Sequence, residues 1–170
     1  MLHPLIILTD EDVVEGKGLV ATGLIREGEV VSRLEPNQPV YLIEEILTWP
    51  PGKQEVILEH AYQCSETHYV EEQGNERFTN HSCDPNTWWA DNDTLIARRD
   101  IQPGEEVTYD YSTTEVAVPF VMECLCGSPM CRGTVTNRDY TDPEWQERFK
   151  DYLPDHTRKA IAELQRELTA

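Results

Sequence analysis

The amino-acid sequence predicts a mainly β fold with α-helices gathered at the C-terminus. Three observations carry that expectation. As far as Tyr111 the apolar residues come in short runs separated by Gly, Asp, Asn and Pro clusters, the pattern of strands joined by turns. Thr141-Asp142-Pro143-Glu144 has the form of a helix start, with a capping box and a proline in the first turn. Beyond it Ile161, Leu164 and Leu168 recur at helical spacing and make one apolar stripe over about Asp155 to Leu168.

The elements follow in order. Leu5 to Leu8 suits an edge strand. Gly16-Lys17-Gly18 leads into a strand at Leu19-Val20-Ala21, and Glu27-Gly28-Glu29 is a turn before Val30-Val31. From Tyr41 to about Trp49 the positions Leu42, Ile43, Ile46 and Leu47 have helical spacing, which Pro50-Pro51-Gly52 should end. Tyr62 to Cys64 and His68 to Val70 form a hairpin around Ser65-Glu66. Thr87 to Trp89 and Thr94 to Ala97 form another around Asp91-Asn92-Asp93, with one tryptophan in the core and the other exposed or covered by the tail. Ile101 to Tyr111 is a turn feeding a strand.

With 170 residues the chain fits one domain and a small appendage. Its 32 acidic against 14 basic side chains leave a net charge of −18. Such a surface repels nucleic-acid phosphates and anionic lipid and steers basic partners toward it. Met1 to Leu8 is apolar but lacks a basic leader and is broken by His3 and Pro4, and no run approaches a membrane-spanning length. Five cysteines, three of them packed into Cys124-Leu125-Cys126 and Cys131, suit a metal better than a disulfide framework. The expectation is a soluble intracellular protein, nuclear or cytoplasmic, without direct nucleic-acid or membrane partners.

Zinc takes four ligands in a tetrahedron and favours thiolate in structural sites. Gly127, Ser128 and Pro129 let the backbone turn between Cys124, Cys126 and Cys131. Cys83 is the preferred fourth ligand, with Cys64 and His81 as competitors. His60, Cys64 and His68 also recur every four residues, but the hairpin pattern there argues against a helical metal face.

Four stretches together resemble the SET-domain protein lysine methyltransferases that carry a post-SET cysteine segment. They are Gly16-Lys17-Gly18, the segment Arg77-Phe78-Thr79-Asn80-His81-Ser82-Cys83-Asp84-Pro85-Asn86, the block Gly104-Glu105-Glu106-Val107-Thr108-Tyr109-Asp110-Tyr111, and Cys124-x-Cys126-x4-Cys131. They occur in the family's order and cover about residues 14 to 134. The resemblance implies small curled β-sheets with a pseudoknot, S-adenosylmethionine as methyl donor and structural zinc. It divides the chain into a SET domain over residues 1–115, with a variable insert at about 39–76, a post-SET segment over 116–134 and a helical extension over 135–170.

By position, the resemblance sets Lys17 and Gly18 against the donor, Asn80 and His81 on its amino acid and adenine portions, and Leu125 over the adenine. Tyr111 falls at the essential tyrosine, and Tyr109 at the position that tunes how many methyl groups are added. Tyr62 falls at an aromatic position lining the active site. The implied substrate is a basic protein or peptide tail, such as a histone, receiving one or two methyl groups. A catalytically silent SET-like interaction module is the alternative, and a zinc-ribbon-like structural protein explains the thiols alone. The protein is a monomer or, through the Ile161, Leu164 and Leu168 stripe, a homodimer.

Overall fold

The computed structural model describes all 170 residues. Twelve short strands build four small sheets. β1 (Ile6–Thr9), β2 (Gly18–Ala21), β10 (Glu106–Tyr109) and β7 (Asn80–His81) form the largest, in the order β1-β2-β10-β7. β3 (Val30–Arg33), β9 (Thr94–Ala97) and β8 (Thr87–Trp89) form a second. β4 (Val40–Leu42), β6 (His68–Glu71) and β5 (Ala61–Gln63) form a third, and β11 (Val121–Glu123) pairs β12 (Thr134–Thr136). All pairings are antiparallel except β7 with β10, where Asn80 lies opposite Thr108 and His81 opposite Tyr109.

The main core lies between the first two sheets: Leu19, Ala21, Ile25, Val31, Ala97, Ile101 and Val107 are all essentially inaccessible. Alternation along these strands places their apolar residues on the shared face, which is the signal legible in the sequence. Both predicted hairpins are present. Trp89 is buried, and Trp88 lies flat against Tyr152 of the tail, centroids 3.6 Å apart and planes within 2°.

Two expectations need correction in the insert. The helical spacing from Tyr41 to Trp49 yields only a single turn, α1 (Ile43–Ile46), because Tyr41 and Leu42 are taken by β4 for pairing with β6. Pro50-Pro51-Gly52 does not end helical structure: Pro51 opens α2 (Pro51–Leu58) at the first helical position, where its missing N–H is lost without cost. Helices are therefore not confined to the C-terminus.

The tail carries α3 (Pro143–Phe149) and α4 (Asp155–Thr169). Asp142 rather than Thr141 caps α3, its carboxylate accepting the Glu144 amide at 2.9 Å. Ile161 and Leu164 pack within the chain, against Tyr140, Trp145, Phe149 and Leu153, while Leu168 stays exposed. No helix is long and apolar enough to cross a membrane.

Candidate functional site

The site is organised by the parallel pair. Because β7 runs alongside the end of β10, Asn80 and His81 are held beside Tyr109 and Tyr111. The side-chain nitrogen of Asn80 donates to Glu106 Oε1 at 2.7 Å and to the carbonyls of Glu15 and Lys17 at 3.0 Å each. Glu106 Oε2 accepts the Val14 amide at 2.7 Å. One carboxylate thus ties the glycine-containing loop before β2 to β7. Gly18 is required by this closeness: a Cβ there would stand 2.3 Å from Glu106 Oε1 and 2.7 Å from Val13.

Two cavities meet at this point. A small one, 70 Å³, is lined by Val14, Glu15, Asn80, His81, Leu125 and neighbours. A larger one, 300 Å³, runs between β5, β6 and β11 and is walled by Tyr62, Tyr69, Tyr109, Tyr111, Val118 and Phe120. Tyr111 and Met122 line both. The Tyr109 and Tyr111 ring centroids are 4.9 Å apart, and the Tyr111 hydroxyl donates to the Thr79 carbonyl at 3.0 Å. Burial and nearby glutamates push the phenols of Tyr62, Tyr109 and Tyr111 upward, so all three remain protonated O–H groups.

Most of the residues singled out from the sequence converge here: Tyr62, Tyr109 and Tyr111 on the larger cavity, Asn80, His81 and Leu125 on the smaller. Lys17 and Gly18 do not line either. Lys17 is exposed with its ammonium 5.6 Å from the centroid of Phe78, and Gly18 serves the packing against Glu106. Val14 and Glu15 take their place on the wall. Glu106 was inside a quoted motif, yet nothing in its sequence position announced that it would hold two segments at once.

His81 has both ring nitrogens engaged by protein. Nδ1 accepts the Tyr111 amide at 3.1 Å, which leaves the proton on Nε2, 3.3 Å from the sulfur of Cys83. Burial, outweighing the attraction of Asp110, lowers its pKa to about 4, so the ring is neutral. His81 therefore lines the smaller cavity with its ring, its two nitrogens turned to the Tyr111 amide and the Cys83 sulfur.

The four sulfurs of Cys83, Cys124, Cys126 and Cys131 lie within 4.8 Å of one another. Cys83 and Cys124 are 3.6 Å apart. Tetrahedral zinc with bonds of about 2.3 Å sets sulfurs about 3.8 Å apart, so the spacing fits. Amides of Arg132 and Gly133 point at the sulfurs of Cys83 and Cys131, at 3.3 and 3.4 Å, as thiolate ligands require. Cys64 packs instead beside Tyr62 and Val70. The cluster is compatible with a closed, structural zinc site.

Behind it lies Asp110, fully buried. It accepts both terminal nitrogens of Arg132, at 2.7 and 2.8 Å, and Trp145 Nε1 at 3.1 Å. Arg132 also reaches Asp139, and Arg148 donates to the Cys83 carbonyl at 2.6 Å. Helix α3 thus braces the cysteine centre and Asp110 from the far side.

A protein-family model described as SET domain matches residues 16–112, more than half of the chain and both strands of the parallel pair. The chain belongs to the SET-domain family. A histone-lysine N-methyltransferase described as H3 lysine-36 specific, from Mycosarcoma maydis, is 38% identical over 76 residues, 41% of this chain and 8% of that protein. One of the same description from Candida albicans is 32% identical over 139 residues, 71% of this chain and 16% of that protein. An H3 lysine-4 specific enzyme from Schizosaccharomyces pombe is 45% identical over 64 residues, 34% of this chain and 7% of that protein. The SET-domain chain thus spans only a small part of these relatives' length.

Proposed function

We propose that this SET-domain chain is an S-adenosylmethionine-dependent protein lysine N-methyltransferase. It acts on a basic protein tail such as a histone and adds one or two methyl groups. The observation that carries this reading is the meeting of two unlike cavities at Tyr111 and Met122. A transfer between two substrates needs each held on its own side of a shared wall, with the reacting atoms aligned where the two meet.

The smaller cavity, with Asn80, Glu15 and Leu125, is the donor side; bound there, S-adenosylmethionine supplies a methyl group on a positively charged sulfur. The larger cavity is the lysine side. Its aromatic walls exclude water and take the apolar lysine stem, and desolvation disfavours the ammonium form, which in water persists to a pKa of about 10.4. The Tyr111 hydroxyl, fixed on the Thr79 carbonyl, can accept from the amine and orient its lone pair. Tyr109 keeps its hydroxyl in the same cavity and leaves reduced room for a second or third methyl, which supports low-order methylation. Zinc on the four cysteines would hold β11 and Leu125 in place as a cover on the donor side. A net charge of −18 favours a lysine-rich tail.

The test is incubation with radiolabelled donor and recombinant core histones, alongside calorimetry with unlabelled donor. Label on a histone lysine and measurable donor binding are expected. Products dominated by trimethyl-lysine would overturn the low-order reading, and absence of donor binding would favour the silent module.

A further inference from the structure

Four glutamates line the larger cavity; Glu59 is exposed at its rim, and of the three behind it two are accounted for. Glu115 accepts the Gln63 amide at 3.0 Å, the Thr114 hydroxyl at 3.2 Å and the Tyr69 hydroxyl. Glu76 holds the Met1 ammonium at 2.6 Å. Glu72 is different. Its amide donates to the His60 carbonyl at 3.1 Å, prolonging the β5–β6 ladder and fixing its backbone, but its carboxylate makes no hydrogen bond and no ion pair within the protein. It lies where the larger cavity adjoins a small pocket walled by Leu34, Trp89 and Leu95, with Tyr62 and Tyr109 on both.

We infer that Glu72 is the anionic contact that draws in and holds the ammonium of the substrate lysine in this tyrosine-walled cavity. The inference deepens the methyltransferase reading and rests on it. A half-buried carboxylate without a partner in the protein is partly stripped of water, and an ammonium brought to it offsets that cost. The nearest cation of the wall, Arg77, is turned onto the Phe78 ring at 4.8 Å and forms no ion pair with Glu72. Burial, reinforced by Glu76 and opposed by the Met1 ammonium, raises the Glu72 carboxyl to about 7. The other titratable groups on the two cavities are Glu59, His60, Asp93, Glu115, Tyr62, Tyr69, Tyr109 and Tyr111.

A counter-charge favours the ammonium over the free amine. Glu72 therefore serves capture, and the amine must part from it before transfer. The kinetic signature is a changed KM with a steady kcat.

Two measurements on Glu72→Gln decide the matter. The first is steady-state methylation of core histones. KM should rise about tenfold or more with kcat within about threefold, while donor affinity holds and the melting temperature does not fall. An unchanged KM overturns the inference, and so does a collapse of kcat at steady KM or a loss of stability and donor binding together. The second uses n-butylammonium chloride, the lysine side chain without its backbone, as a melting-temperature probe. It should stabilise the wild-type protein and not Glu72→Gln, with n-butanol acting equally on both. An equal response of the two proteins, or none in the wild type, overturns the inference even where methylation is found. A selective response without any methylation keeps the cation site and sinks the methyltransferase reading.

Discussion

The Nε2 atom of His81 stands 3.3 Å from the sulfur of Cys83. Since Nδ1 already accepts the Tyr111 amide, the Nε2 proton points at the sulfur. One imidazole thereby joins the cysteine centre to the end of β10 and the turn after it, which carry the two central tyrosines. A zinc ion on the cysteines and a donor beside His81 would be coupled through this ring and through a few peptide bonds.

That coupling has a measurable form. Cys126→Ser should lower zinc content, and donor affinity should fall with it, because β11 and Leu125 lose their tether. Cys83→Ala with full zinc stoichiometry would remove Cys83 from the ligand set. His81→Phe should keep zinc but weaken it about tenfold or more, as loss of an outer-shell partner does, read by competition with a chelating dye.

Tyr111→Phe removes one hydroxyl and its bond to the Thr79 carbonyl, a stability loss of about 1 kcal/mol. Turnover should drop by about 100-fold or more while donor affinity stays within about threefold. Radiometric assay and calorimetry on the same preparation check both halves, and intact turnover would strip Tyr111 of its assigned role.

Glu106→Ala should weaken donor binding about tenfold. It frees the Asn80 amide and the Val14 amide together and so loosens one wall of the smaller cavity. Glu106→Gln keeps one oxygen acceptor and should fall between. Calorimetric affinities for the three proteins in that order support the clamp, and equal affinities exclude it.

Glu115 gives a pH prediction. Burial, resisted by its bonds to Tyr69, Gln63 and Thr114, lifts its carboxyl from 4.5 to about 7. Between those values the folded chain holds a proton that the unfolded chain has released. This group therefore makes stability fall as pH rises through that window, by at most about 1.4 kcal/mol per unit, and adds no slope above it. Denaturant midpoints from pH 4.5 to 8 should decline less steeply in Glu115→Gln than in the wild type. Parallel curves would mean that Glu115 titrates normally.

The fold was legible where side-chain pattern and burial coincide. Leu19-Val20-Ala21 and Thr94 to Ala97 alternate against one core, and Trp88 and Trp89 divide between tail and interior. The two-residue strand Asn80–His81 was invisible as a strand, because it is too short to carry a period and its register is set by β10. β11 and β12 escaped notice for a related reason: each has three residues, β11 turns Val121 to solvent, and in β12 Val135 alone is buried. Of the site, the tyrosines and cysteines were legible from motif and spacing. Glu72, Glu106 and Arg132 were not, since an acidic or basic residue in a chain this charged gives no sign of being buried or bonded until its neighbours are known.

Asp110 has a consequence for the order in which the chain is made. Its partners Arg132 and Trp145 follow it by 22 and 35 residues. A chain emerging from the ribosome N-terminus first exposes both large sheets before either partner has been synthesised. Until then the carboxylate has neither of these bonds, and burying it would be strongly unfavourable. The central segment can be sealed only after the tail arrives, so the two cavities are finished last. A nascent chain stalled before Trp145 would be an open framework still lacking the helix that closes it.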